Sequence, residues 1–368
     1  MKIQIAPLPD HERKPKVTDP TKLGFGRVFT DRMFSMHYTE RRGWHDARIH
    51  KYGPLQLDPA ATVFHYAQEI FEGMKAYPRP HGGAALFRPE MNIRRMNASA
   101  RRMSMPEVDP DLFLEALERL IELEHEWIPQ WEGTSLYIRP TMIGTEAALG
   151  VKAATEYLFY IILSAVGAYF PSGFKPVTIE ASDSYVRAVR GGCGYAKTGA
   201  NYAPTLLPAT EAKKRGCDQV LWLDALENKY VEEMGGMNVF FVFGKTLVTS
   251  PLTGTILPGV TRHSIIELAR EVGIHVEERP LSIDEVMNRG VDGSLTEAFA
   301  SGTAAVVTAI GQIVYKGRKI LVADGQPGKT TRLFYKTLTD IQYGRIPDTR
   351  GWMHMIPERV ARRTEATA

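Results

Sequence analysis

The stretch Gly167-Ala168-Tyr169-Phe170-Pro171-Ser172-Gly173-Phe174-Lys175-Pro176 constrains the fold of this chain more than any other. Proline removes a backbone donor and fixes φ, so two prolines and two glycines within ten residues interrupt any helix or strand. The stretch follows Tyr157 to Val166, a run rich in Tyr, Ile, Leu and Phe, as buried strands are. The chain is therefore expected to fold in two parts. Residues 1–166 form an N-terminal domain, 167–176 a linker, and 177–368 a C-terminal domain. A length of 368 residues suits two ordinary domains.

Each part mixes helix and strand signals. Before the linker, strands are expected over Arg27–His37, Thr62–His65 and Ser135–Pro140, and a helix over Met91–Met105. A clearer helix spans Pro110–Trp127, with Phe113, Ala116, Leu117 and Leu120 at i, i+3, i+4 and i+7. Met1 to about Pro20 is polar and reads as an irregular arm. After the linker, short strands are expected at Gln219–Leu223, Tyr230–Glu233, Asn238–Phe243, Thr246–Ser250 and Ile274–Arg279. Helices are expected at Thr261–Val272, with Gly273 as its cap, at Ile283–Asn288 and at Thr331–Tyr343. The fold class is α+β, in two domains.

Several functions are disfavoured early. No basic run interleaves with aromatics as a nucleic-acid surface would. The longest apolar stretches, such as Tyr157–Tyr169, are too short to span a bilayer. The first 17 residues lack a signal-peptide core, and two cysteines fit a reducing compartment, so a cytoplasmic protein is expected. Gly328-Lys329-Thr330 is no P-loop, because Ala323 stands where the first glycine belongs. No His-Glu-x-x-His is present and two cysteines cannot build a Cys-rich zinc site, so no metal is expected.

Chemistry concentrates around one lysine. Lys197 sits in Gly191-Gly192-Cys193-Gly194-Tyr195-Ala196-Lys197-Thr198-Gly199. Glycines let backbone approach a ligand, and an amine that loses solvation becomes a nucleophile for carbonyl compounds. Taken alone, the segment reads more readily as a surface turn with a solvated lysine. Thr253 to Arg262 leads straight into a helix start, where free N–H groups and the dipole favour an anion or simply a Thr261 cap. Ser301-Gly302-Thr303-Ala304 offers a second set of N–H groups, or a tight turn. In Glu232-Glu233-Met234-Gly235-Gly236, a carboxylate stands beside a glycine pair, suited to a pyridine nitrogen or to a solvated hairpin end. Arg95 and Arg139 carry forks that fit phosphate or carboxylate.

Taken in order, these segments resemble the branched-chain amino acid aminotransferases, pyridoxal-phosphate enzymes of fold type IV. The stretches that carry the resemblance include Phe71-Glu72-Gly73-Met74-Lys75-Ala76, Leu86-Phe87-Arg88-Pro89, Tyr137-Ile138-Arg139-Pro140, Lys197 to Tyr202, Leu257 to Val260 and Ser301-Gly302-Thr303-Ala304. The resemblance implies a smaller N-terminal and a larger C-terminal domain with the cofactor between them. It makes Lys197 the lysine that carries the cofactor and Tyr202 the partner of its ring hydroxyl, with Glu233 facing the pyridine nitrogen and Gly236 beside the ring. Arg95, the N–H groups of Val260 and Thr261, and Thr303 would hold the phosphate. Phe25, Tyr66, Phe71, Tyr137 and Tyr169 would line the substrate pocket. Arg139 would meet a side-chain carboxylate, and the N–H groups of Thr303 and Ala304 the α-carboxylate. Implied substrates are leucine, isoleucine, valine, glutamate and 2-oxoglutarate, and the implied assembly is a homodimer.

The nearest rivals within the fold are D-amino acid aminotransferases and aminodeoxychorismate lyases. Lyases are usually shorter, and Phe71-Glu72-Gly73 and Gly167-Ala168-Tyr169-Phe170 speak against them. Mammalian members carry a redox Cys-x-x-Cys where this chain has Ala305 and Thr308, and Gly236 replaces a threonine of some relatives.

Overall fold

The computed structural model describes residues 1–167 and 174–356, so Tyr169 and most of the expected linker lie outside the described residues. Nine strands in chain order begin a first sheet: β1 (Gln4–Ile5), β2 (Val28–Phe29), β3 (Arg32–Thr39), β4 (Gly43–Lys51), β5 (Glu69–Phe71), β6 (Met74–Pro78), β7 (Ala84–Phe87), β8 (Ser135–Gly144) and β9 (Glu156–Val166). They lie in the order β1-β4-β3-β9-β8-β6-β7, with β2 also paired to β9 and β5 to β8. Among the described residues, only the short β1–β4 pair of this sheet is parallel. Between these strands run α1 (Thr62–Tyr66), α2 (Pro89–Arg102) and α3 (Pro110–Leu123).

Helix α3 shows how local sequence sets this layer. Pro110 takes the first helical position, where its missing N–H is no loss. Asp109 accepts a hydrogen bond from the Leu112 N–H at 2.9 Å and so caps the helix. Phe113, Ala116, Leu117 and Leu120 are fully buried, and the Phe113 ring lies 5.0 Å from Phe159 of β9. Asp109→Ala is expected to lower stability by about 1 kcal/mol. Urea unfolding checks this, and an unchanged midpoint would mean the cap contributes nothing.

Three local expectations need correction. Thr62–His65 is not a strand but part of α1, because so short an apolar run has no period to separate strand from helix. The helix from Pro110 stops at Leu123 and a separate 3₁₀ turn covers His125–Trp127. The N-terminal arm is tied down: Ile3 is buried, and Lys14 Nζ donates to the Thr30 carbonyl at 2.8 Å.

The second sheet holds β10 (Val177–Ala181), β11 (Gln219–Leu223), β12 (Val231–Met234), β13 (Met237–Phe243), β14 (Thr246–Thr249), β15 (His275–Glu278), β16 (Leu295–Gly302), β17 (Val306–Tyr315) and β18 (Arg318–Leu321). Its order is β12-β11-β10-β17-β16-β13-β14-β15, and a further β12–β13 pairing closes six of these strands into a ring. Helices α4 (Leu206–Lys214), α5 (Val260–Glu271), α6 (Ile283–Val291) and α7 (Lys329–Gln342) accompany it. β13 is buried on both faces, which explains its unbroken Phe-Phe-Val-Phe run. Val239, Phe241 and Phe243 join one apolar cluster, whereas Phe240 and Val242 pack with Phe299 and with Ile265 of α5 and Phe334 of α7.

Two features of this topology build the site. β10 and β11 are parallel, so residues 182–218 must cross from the end of one to the start of the other, and that crossover carries Lys197. The chain also returns to the first sheet: β19 (Met353–Ile356) pairs antiparallel with β7, and Trp352 packs edge-on to Phe87. The range 177–368 thus gives a strand to the first sheet, because an edge strand was available there. The Tyr343 hydroxyl donates to the Thr134 carbonyl at 2.8 Å, another tie between the two halves.

Candidate active site

A cavity of about 260 Å³ opens between the two sheets, with Lys197 on its wall. The Lys197 backbone is held from both sides. Its N–H donates to Ser99 Oγ of α2 at 2.9 Å, and its carbonyl accepts from the Phe71 N–H at the end of β5, also at 2.9 Å. The amine Nζ lies 2.9 Å from the Tyr202 hydroxyl and 4.9 Å from the centre of the Phe71 ring. The glycines around it answer close contacts: a Cβ on Gly194 would collide with the Thr255 carbonyl. Loop, helix and strand together aim one amine into the cavity.

Glu233 enters from β12. Its side chain is almost wholly buried, and burial pushes its carboxyl above the usual range while the Arg187 charge opposes the shift. Oε1 accepts from Asn238 Nδ2 at 3.1 Å. Arg187 Nη1 stands 2.8 Å from Oε2 and gives the carboxylate a counter-charge, and the Leu257 N–H supports it as well. The next residues turn at Gly235-Gly236, with Gly235 at φ 56°, into β13. A Cβ on Gly236 would sit 3.3 Å from the Tyr202 ring, so this glycine keeps the cavity floor low.

An anion end faces the start of α5. No side chain caps that helix, so the N–H groups of Val260 and Thr261 remain at the cavity wall. Arg95 stands beside them: Nη1 donates to the Pro258 carbonyl at 3.1 Å. Nε and Nη2 of the same guanidinium grip the two oxygens of Glu72 at 2.7 and 2.9 Å. Burial alone would raise the Glu72 carboxyl, but Arg95 outweighs it and holds the group below its usual range.

Thr303 and Ala304 lie on the hairpin between β16 and β17 and border the same cavity. Val306, which closes this hairpin, has φ 62°, a region that β-branched residues rarely occupy. Buried Lys75 reaches the turn from behind, and its Nζ donates to the Ala304 carbonyl at 2.7 Å. Burial lowers the Lys75 amine to about 8.

The remaining wall is aromatic. The rings of Phe25 and Tyr137 meet edge-on at 4.9 Å. Tyr137 and Arg139 alternate correctly along β8 to share a face, and Arg139 Nη2 donates to the Tyr137 hydroxyl at 3.0 Å. The Arg139 guanidinium also lies 4.7 Å over Phe71, and its Nε is buried without a partner. A Cβ on Gly73 would strike the Tyr137 hydroxyl.

The cavity thus gathers Lys197, Tyr202, Glu233, Gly236, Arg95, Val260, Thr261, Thr303, Ala304, Phe25, Phe71, Tyr137 and Arg139. It does not include Tyr66. Because Thr62–Tyr66 coils instead of extending, Tyr66 sits at the exposed surface, 40% accessible, with its hydroxyl on the Leu149 carbonyl. Glu72, Lys75, Arg187 and Asn238 are additions. Glu72 and Lys75 lie in a stretch already singled out, and Asn238 follows the Glu232–Gly236 stretch and opens an expected strand, but Arg187 belongs to no motif and becomes visible only through its partners.

A buried acid, an amine beside a phenol and an uncapped helix start thus face one cavity on this fold. The sequence pattern of amino-transferase class IV matches residues 69–313. The branched-chain-amino-acid transaminase 1 of Bacillus subtilis is 54% identical over 91% of this chain and 94% of its own. The Escherichia coli branched-chain amino acid aminotransferase superposes with a TM-score of 0.73 at 28% identity, over 88% of this chain and 99% of its own. The enzyme of Thermobaculum terrenum, solved in its PLP form, gives 0.72 at 26% identity over 90% and 99%. The chain belongs to the class IV aminotransferases, in their branched-chain-amino-acid family.

Proposed function

We propose that the cavity binds pyridoxal phosphate and moves an amino group between L-leucine, L-isoleucine or L-valine and 2-oxoglutarate, giving the 2-oxo acid and L-glutamate. One observation carries this most: Lys197 Nζ, hydrogen-bonded to Tyr202, shares the cavity wall with a buried carboxylate, Glu233. That carboxylate fits a protonated ring nitrogen. The uncapped start of α5, with the Nη1 end of Arg95 beside it, fits a phosphate, and Tyr202 fits a ring hydroxyl.

Pyridoxal phosphate, when bound, supplies an electron sink for charge developing at the substrate α-carbon. The protein does the rest. Lys197 Nζ carries the cofactor, and once freed it takes the proton from the α-carbon and returns it at the neighbouring position. The N–H groups of Thr303 and Ala304 orient the α-carboxylate. Phe25, Phe71 and Tyr137 enclose the side chain and exclude water.

Leucine and glutamate must use one pocket, so the aromatic box needs a polar exit. Arg139, which borders the cavity beside Tyr137, supplies it. Arg139→Met is expected to lower kcat/KM for glutamate and 2-oxoglutarate by roughly 30-fold or more, and for leucine by under about 3-fold. The two half-reactions measured separately decide it. Equal losses would leave Arg139 as a prop for Phe71 and Tyr137.

We also read the enzyme as a cytoplasmic homodimer. Phe64 and Tyr66 of α1 and the neighbouring Leu149 and Val151 leave an apolar edge exposed, which isolated subunits rarely keep. Cys193 and Cys217 are unpaired, as in a reducing compartment.

A further inference from the structure

Glu233 sits 1% exposed among apolar strands, and a carboxylate there stays ionised only with a counter-charge. Three cations face it: Arg187, Lys197 and Arg95. Arg95 is already matched by Glu72, and Lys197 is turned to the Tyr202 hydroxyl. Glu232, its neighbour on β12, adds a like charge. Arg187 is therefore decisive. Its side chain is 3% exposed, it does not border the cavity, and it approaches Glu233 from behind.

The geometry of this pair is specific. Nη1 lies 2.8 Å from Glu233 Oε2 and donates one of its two N–H groups to the Thr255 carbonyl at 3.0 Å. Thr255 in turn holds Glu232, through a hydrogen bond from its hydroxyl to Oε1. The guanidinium thus gives Oε2 a counter-charge from outside the cavity.

We propose that Arg187 is a positioning residue for Glu233: it keeps the carboxylate ionised from behind, on the side away from the cavity, so that Glu233 can meet a protonated ring nitrogen. This rests on the role given to Glu233 above. Arg187 also links the ring-nitrogen partner to the loop before α5, so both ends of the cofactor site share one anchor. A lysine here keeps the charge but loses the fork that reaches Glu233 and Thr255 together.

A double-mutant cycle tests it, with R187M, R187K, E233Q and R187M/E233Q prepared as holoenzymes. Two quantities are read: the pyridoxal phosphate retained after dialysis, and turnover with leucine. R187M is expected to lose roughly 30-fold in turnover and to release cofactor faster, with R187K between it and wild type. In the E233Q background the same change should add less than about 3-fold, because a neutral amide needs no counter-charge. Should R187M fail to fold, a double variant that folds supports the inference equally, since the unpaired buried carboxylate is then what destabilises. Full, additive losses in both backgrounds, a double variant as unfolded as R187M, or an R187M equal to wild type would overturn the inference. An E233Q equal to wild type would instead sink the role of Glu233, and this inference with it.

Discussion

Lys197→Ala is expected to abolish amino transfer, with a loss of at least about 10⁴-fold, while the protein stays folded. The side chain carries two tasks that no neighbour can take over. In the proposed function it anchors the cofactor covalently and moves the α-proton. Lys75 is the other lysine near the cavity, but its Nζ is committed to the Ala304 carbonyl behind the turn. The fold survives because the segment is held by its backbone, through Ser99 Oγ and the Phe71 N–H, and not by the amine. Turnover with leucine and 2-oxoglutarate, read beside circular dichroism and thermal unfolding, checks both halves. Residual activity above a hundredth of wild type would remove Lys197 from the chemistry.

Glu233→Gln is the second large effect. The variant should still bind pyridoxal phosphate, because the anion site at α5 and the Tyr202 contact are untouched. Its turnover should fall by roughly 10²–10³-fold. A neutral amide cannot stabilise positive charge on the ring nitrogen, so charge developing at the α-carbon loses its sink. Asn238 Nδ2, which donates to Glu233 Oε1 at 3.1 Å, would meet the amide oxygen and keep the side chain in place. Wild-type turnover with cofactor bound would reduce Glu233 to a buried strand residue.

Much of this site is legible in the sequence alone, for identifiable reasons. Tyr137 and Arg139 can be placed on one face because strand alternation is strict. The start of α5 can be read because helix ends leave free N–H groups wherever they occur. Lys197 stands out through its glycines, although it takes the company of distant segments to give it a role. The burial of α3 follows from Phe113, Ala116, Leu117 and Leu120 alone.

What stays hidden depends on long-range closure. Arg187 has no local signature, and it meets Glu233 and Thr255 only because the crossover from β10 to β11 passes behind a closed ring. Glu72 is a buried acid only in the presence of Arg95. Tyr66 falls outside the cavity, against expectation, because four or five apolar residues carry too little periodicity to fix their conformation. The return of β19 to the first sheet cannot be foreseen either, since a short edge strand is defined by the edge it finds.

The central claim is that Lys197, and no other amine, carries the cofactor. Borohydride reduction of the holoenzyme, followed by proteolysis and mass spectrometry, tests it directly. The phosphopyridoxyl mass is predicted on the peptide that contains Lys197, and it should vanish if leucine is added before the borohydride. Labelling at Lys75 or any other lysine, or labelling that leucine does not prevent, would contradict the account.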